Sequence, residues 1–160
     1  MNKARILDLI IEQLARDLEV LFSAAKTAHE AATHEENAPD NKYDTLSLEA
    51  SYVAQGQANR AQEIKVALEA YKNLLLRHFE DDNPIRLGAL VSLEASDCAA
   101  KKVFIGPLEG GLKVQQGGIE VVVITPGSPL GKGLIGKVVG DCVTVGAGDS
   151  KTEFEIVAVC

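Results

Sequence analysis

Two apolar stripes at helical spacing, separated by a short turn-forming segment, occupy the first half of the chain and leave few folds open to it. From Asn2 to about His34 there is no Gly or Pro, and Leu7, Ile10, Leu14, Leu18, Leu21, Ala25, Ala28 and Ala32 recur mostly in steps of three and four. That spacing predicts one face of a long helix. A second stripe runs from about Leu46 to Phe79 through Ala50, Ala54, Ala58, Ala61, Ile64, Leu68, Tyr71 and Leu75, with Gly56 as its only helix-weakening residue. Side-chain size falls along the first stripe and rises along the second. Folded antiparallel, large residues meet large and small meet small, so the hairpin is thick at its base and thin toward residues 34 to 45. Arms of roughly 30 residues span ~45 Å, and their Ala-rich distal halves bury little area. The expectation is a probe, an antiparallel coiled-coil hairpin over residues 1–83. A helical pair that only dimerises as a scaffold is the plainer alternative.

The turn between the stripes, HEENAPDNKYDT, sets Pro39 among Asn and Asp residues, which favour chain reversal. It is also acidic: residues 30 to 49 hold Glu30, Glu35, Glu36, Asp40, Asp44 and Glu49 against Lys42. The whole chain carries net charge −7, of which −6 lies in residues 1–83 and −1 in residues 84–160. Such a balance argues against free duplex nucleic acid as the main partner, because that binding needs Lys and Arg on phosphates. An apolar fraction of 46% excludes a wholly disordered chain. Lys3, Arg5, Asp8, Glu12, Arg16 and Asp17 interrupt the first twenty residues, so neither a signal peptide nor a membrane span is expected there, and the cytoplasm is the expected location. Cys98, Cys142 and Cys160 are too widely spaced for a CxxC zinc site and odd in number, so reduced thiols are expected. His29 and His34 lack the i, i+4 metal spacing.

After Asn83 and Pro84 the pattern changes. LGALVSLEA, KKVFI, GIEVVVIT, CVTVG and EFEIVAV are rich in β-branched residues, with Gly-containing turns between them. Four to six strands of a mostly antiparallel sheet are expected over residues 84–160, giving an α+β chain. SPLGKGLIGK reads as a short helix with Ser128 as N-cap, Pro129 at its first position and Gly136 ending it. The glycines around Gly110, Gly117 and Gly118 lack the helix and Lys of a P-loop.

The stretch VITPGSPLGKGLIGKVVGDCVTV and the closing EFEIVAV resemble the C-terminal domain of the GreA/GreB family of transcription elongation factors. Ser128 and Pro129 open the match; Gly133, Leu134, Ile135, Gly136 and Lys137 follow, then Gly140 and Asp141, then a final strand from about Glu153. The likeness covers the last third of the chain closely and residues 84 to 120 more loosely. It implies an FKBP-like β domain that docks at the rim of the RNA polymerase secondary channel, through Ser128, Pro129, Lys132, Gly133, Leu134 and Ile135. The hairpin then enters the channel, and its tip carboxylates help hold a Mg2+ ion at the polymerase active site, where the RNA 3′ end of a backtracked transcript is cleaved. On this reading the chain is no enzyme. It lends ligands to the polymerase, binds no cofactor alone, meets DNA only indirectly, touches no membrane and is a monomer.

Two alignments of the tip with the family pattern are open. Glu36, Asn37 and Ala38 fit a Glu-Asn-Ala place, with Thr33 standing where the family has Asp; alternatively Asp40, Asn41 and Tyr43 fit the acid, Asn and Tyr places with one residue deleted. Flanking the expected turn, Asp40 and Asp44 are the first candidates for the shared metal, with Glu36 and Glu35 behind them. Both aspartates also have structural roles to fill, Asp44 as N-cap of the second helix and Asp40 in an Asx turn. The rivals are a factor that occupies the channel without cleavage, an FKBP-type isomerase or chaperone, and the dimeric scaffold. The isomerase needs an aromatic-lined pocket, and residues 84–160 offer only Phe104 and Phe154.

Overall fold

The computed structural model describes residues 1–33 and 46–160. Helix α1 spans Lys3–Thr33 and helix α2 spans Leu46–Lys72. Asn2 starts α1: its carbonyl accepts the Ile6 amide at 3.1 Å as the first bond of the helix, and its side-chain oxygen accepts the Arg5 amide at 3.2 Å, satisfying one first-turn amide that lacks an intrahelical partner. On the predicted stripe Ile10 and Leu14 are buried and Leu7, Leu18 and Leu21 half-buried; α2 buries Ala61, Ile64, Ala67, Leu68 and Tyr71.

The second helix ends seven residues before the expected Phe79. Asn73 stops it, its amide and side-chain amide both donating to the Glu69 carbonyl, at 3.1 and 2.8 Å. The apolar spacing continues past this point, but Leu75, expected on the buried stripe, is 81% exposed, whereas Phe79 is buried in the core of the sheet.

Six strands follow: β1 Leu90–Ala95, β2 Ala100–Ile105, β3 Lys113–Gln116, β4 Ile119–Ile124, β5 Cys142–Val145 and β6 Thr152–Val159, with α3, Pro129–Leu134, between β4 and β5. They form one sheet in the order β3-β4-β2-β1-β6-β5. Every neighbouring pair is antiparallel except β2 with β4, which run parallel, so the sheet is mostly antiparallel, as expected, with one parallel pair. The cause is the β3–β4 hairpin, which folds outward through Gly117 and Gly118 at φ +61° and +80°, the conformation of a two-residue hairpin turn, and returns β4 rather than β3 to the side of β2. Both edges, β3 and β5, are four residues long, which limits the unpaired backbone open to other chains.

One face of the sheet builds the main core from Val91, Leu93, Val103, Ile105, Ile124, Val143 and Ile156, with Phe79 and Ile85 from the preceding connection and Leu130 and Leu134 from α3. On the opposite face Leu90, Phe104 and Val123 align across three strands and are buried with Val114 and Val121. The chain divides into two compact units, Met1–Ile11 with Glu69–Cys160, and Glu12–Leu68. The sheet unit is therefore wider than the composition break at Pro84, since it takes in the first turns of α1 and the last turn of α2. Ile6, Ile10 and Tyr71 from those turns are fully buried, each worth about 1.5–3 kcal/mol on the usual scale for a large side chain. Asn2 exchanges hydrogen bonds with Gln116 at the end of β3, and Lys3 lies 4.6 Å from the centre of the Phe79 ring while donating to the Arg77 carbonyl. Burial lowers the Lys3 pKa, a shift the nearby Cys160 opposes.

Tyr71 joins α2 to the sheet. Its hydroxyl donates to the Leu108 carbonyl at 2.6 Å, and a Cβ on Gly106 would lie 2.0 Å from that hydroxyl, so only glycine leaves it room. Burial raises the phenol pKa well above its usual range, and the Glu109 carboxylate pushes the same way. A raised folded-state pKa contributes stability that is complete below the unfolded pKa of about 10 and is lost as pH rises beyond it. Tyr71→Phe is expected to cost about 1 kcal/mol at neutral pH, the value of one such hydrogen bond. The gap to the parent protein should narrow above about pH 10. Urea melts of both proteins across that range are the check; a gap independent of pH would show that the phenol is not held in its neutral form by the fold.

Candidate functional site

The expected polymerase-binding residues fall on the loop and helix between β4 and β5. Pro126 and Gly127 turn the chain out of β4, and Ser128 closes the turn: its amide and hydroxyl both donate to the Thr125 carbonyl, at 3.0 and 2.7 Å, and the hydroxyl accepts the Gly131 amide at 3.1 Å. Ser128 is thus the N-cap of α3, with Pro129 at the first helical position, as the sequence predicts.

Two glycines within this short helix are set by packing. A Cβ on Gly131 would stand 1.9 Å from the Thr125 carbonyl oxygen, and one on Gly133 would stand 2.3 Å from the Val143 side chain. Gly136, at φ +83°, passes the chain out of α3, donating to the Ile85 carbonyl at 2.9 Å, while the Ile85 amide donates to the Lys137 carbonyl at 2.8 Å. Asp141 then caps the next turn, its carboxylate accepting the Val138 amide at 2.9 Å. The segment is hydrogen-bonded at both ends, to Thr125 just after β4 and to Ile85 in the connection ahead of β1.

This geometry sorts the six residues. Leu134 is fully buried and Gly133 packs on Val143, so neither offers a side chain for docking, and Ser128 is occupied by its cap. Pro129, Lys132 and Ile135 are exposed and form the part of the segment a partner can touch. The tip carboxylates Glu35, Glu36, Asp40 and Asp44 lie outside the described residues, as do Lys42 and Tyr43.

Other readings find little support among the described residues. No group of three or more His, Cys, Asp or Glu side chains is arranged to hold a metal ion, and no helix is long and apolar enough to cross a membrane. All three cysteines are free thiols, with Cys98 and Cys142 exposed. Phe104 is fully buried and Phe154 packs against the core, which leaves an isomerase pocket without its aromatics.

Alanine in place of helical glycine ordinarily stabilises by up to ~1 kcal/mol. Gly131→Ala and Gly133→Ala are expected to reverse that sign and cost about 1–3 kcal/mol, the range for forcing extra atoms into packed space. Lys132→Glu, at an exposed position, should stay within about 0.5 kcal/mol of the parent. Urea denaturation of the three variants tests this, and a Gly131→Ala protein as stable as the parent would show the contact to be relaxed in solution.

The C-terminal half matches the family described as transcription elongation factor, GreA/GreB, C-term, over residues 80–160. The transcription elongation factor GreA of Maridesulfovibrio salexigens is 42% identical over 77 residues, 47% of this chain and 44% of that protein, so the alignment spans less than half of the relative's length. Among solved structures, the GreA factor homolog 1 (Gfh1) of Thermus thermophilus aligns over 94% of both chains at 23% identity with a TM-score of 0.39. Gfh1 of Thermus aquaticus aligns over 94% of this chain and 90% of its own at 24% identity and 0.40. Membership rests on the first of these matches, which takes in half the chain and every residue of the sheet and of α3: the chain belongs to the GreA/GreB family of transcription elongation factors.

Proposed function

We propose that the chain binds RNA polymerase at the secondary channel, in the cytoplasm, and stimulates cleavage of backtracked RNA with the carboxylates of the segment between α1 and α2. The observation that carries this reading is the family match over residues 80–160 in a chain whose two long helices are separated by a strongly acidic segment. The exposed Pro129, Lys132 and Ile135 serve as the docking surface. Asp40 and Asp44 are the first candidates to act at the RNA 3′ end, with Glu35 and Glu36 as the alternatives.

The donor set suits the ion that the reading requires. Magnesium takes hard oxygen ligands in octahedral array, commonly one or two carboxylates with water and phosphate, and in such a site it activates water and stabilises the leaving oxygen. Carboxylates of this kind are suited to completing an ion site whose remaining ligands belong to the polymerase. The chain's own part is to place charge, and the polymerase performs the chemistry.

A second reading has one observation in its favour: Thr33 stands where the family pattern places an Asp before Glu36. A factor with an incomplete tip would occupy the channel and regulate polymerase without cleaving RNA.

Two variants separate the parts of the proposal. Asp40→Asn with Asp44→Asn keeps the turn-forming and capping ability of both residues and removes only the charge. It should abolish the shortening of RNA in stalled complexes and leave polymerase affinity near that of the parent. If the double variant still cleaves while Glu35→Gln with Glu36→Gln does not, the ligands are the glutamates. An unmodified protein that binds polymerase and never shortens stalled RNA at any magnesium concentration establishes the channel-occupying reading instead. Lys132→Glu should weaken polymerase binding by several-fold without altering the melt; unchanged binding excludes Lys132 from the interface.

A further inference from the structure

The connection from the end of α2 into β1 carries a surface that the family match does not explain. An open groove of about 450 Å³ is floored by Leu74, Leu75, Leu87 and Pro107 and bordered by Arg77 and Arg86. That volume lies in the range of ligand-sized clefts, roughly 300–1,000 Å³. Leu75 is 81% exposed and Leu87 39%, so apolar surface is left in water at the groove.

The two arginines make this surface unusual in a chain of net charge −7. Acidic groups are close in sequence, yet among the described residues neither guanidinium has a hydrogen-bond or ion-pair partner. The nearby Lys72 pairs with Glu69, and the Asp82 carboxylate accepts from Asn83. Arg77 and Arg86 also border a second cleft of about 220 Å³ beside Phe79 and Pro84, so both face open surface on either side.

From this we infer that the groove is a docking site for a short acidic segment of another protein, one that lays a leucine-type side chain on the apolar floor and sets carboxylates against Arg77 and Arg86. Arginine pairs with carboxylate through two parallel hydrogen bonds, which fixes orientation as well as charge. The open shape suits an extended chain laid across it. Nucleic acid fits less well, since the floor has no aromatic side chain on which a base could stack. A twofold dimer through this face would set each copy's arginines against the same patch of its partner, like charge against like. The site is separate from Pro129, Lys132 and Ile135, and the inference does not depend on RNA cleavage or on docking at the polymerase channel.

The test uses the full chain and a short fluorescein-labelled peptide bearing two leucines flanked by glutamates, followed by fluorescence anisotropy. Saturable binding that weakens with added salt is expected. Arg77→Gln with Arg86→Gln should reduce affinity about tenfold or more, the scale of a lost hydrogen bond to a charged group. Leu75→Ser should weaken binding through the floor alone, and a peptide with glutamine for glutamate should not compete. These positions are exposed, so all variants should melt with the parent, which is to be verified first. The inference is overturned by absence of saturable binding, by equal binding to the arginine double variant, by an oligouridine RNA that binds these arginines more tightly than the peptide, or by a sedimenting dimer that the same variants dissolve.

Discussion

The hydrogen bond from the Tyr71 hydroxyl to the Leu108 carbonyl fixes where helix gives way to sheet. Tyr71 belongs to the last turn of α2, and Leu108 lies just beyond the end of β2. A buried phenol without a partner would be costly, so the helix must deliver its hydroxyl to that carbonyl, and Gly106 must lack a side chain for the ring to arrive. Once Tyr71 is held there, Asn73 ends the helix and the chain is free to carry Phe79 and Ile85 to the other face of the sheet, where both join the core. The contacts of Asn2 with Gln116 and of Lys3 with Phe79 fasten the start of α1 to the same unit.

The sequence exposes some of this and conceals the rest, for reasons that follow from the range of each interaction. Ser128 and Pro129 are legible because capping is settled within four residues. Strands β1, β2 and β4 are legible because their apolar runs are buried on both faces, as in Val121, Val123 and Ile124 of β4, whereas β3, Lys113–Gln116, carries no such run and is not singled out by the sequence. The end of α2 is not legible, because Leu75 and Phe79 continue the helical spacing for another reason. Phe79 is buried against the sheet and Leu75 is largely exposed among the described residues, and periodicity cannot distinguish either from a helix face. The parallel pairing of β2 with β4 is equally hidden, since it is decided by which strand of the β3–β4 hairpin turns inward, a choice the hairpin's own residues do not record.

The candidate docking segment shows a similar division. Its most recognisable letters, the glycines and Leu134, are those the fold needs: Gly131 clears the Thr125 carbonyl, Gly133 clears Val143, and Leu134 fills the core. The residues that can touch a partner, Pro129, Lys132 and Ile135, are interleaved among them. A motif of this kind identifies a scaffold first, and its surface side chains are then presented on a backbone packed closely against Thr125 and Val143.

The acidic segment between α1 and α2 is the opposite case. Asp44 as a helix cap and Asp44 as a metal ligand call for the same side chain at the same place, so residue type alone does not divide the two roles. The physical difference is charge, because a cap needs only an oxygen that accepts a hydrogen bond, whereas a magnesium ligand is favoured by a full negative charge. No packing partner is implied by either role, so nothing in the apolar pattern fixes the segment's alignment, and each placement of its acids departs from the family pattern, one with Thr33 in the place of an Asp and the other with one residue deleted. The family match begins at residue 80, well beyond that segment. Fold identity and proposed chemistry therefore sit on different stretches of the chain: residues 80–160, constrained by glycine-tight packing, and residues 30–49, which set six carboxylates against Lys42.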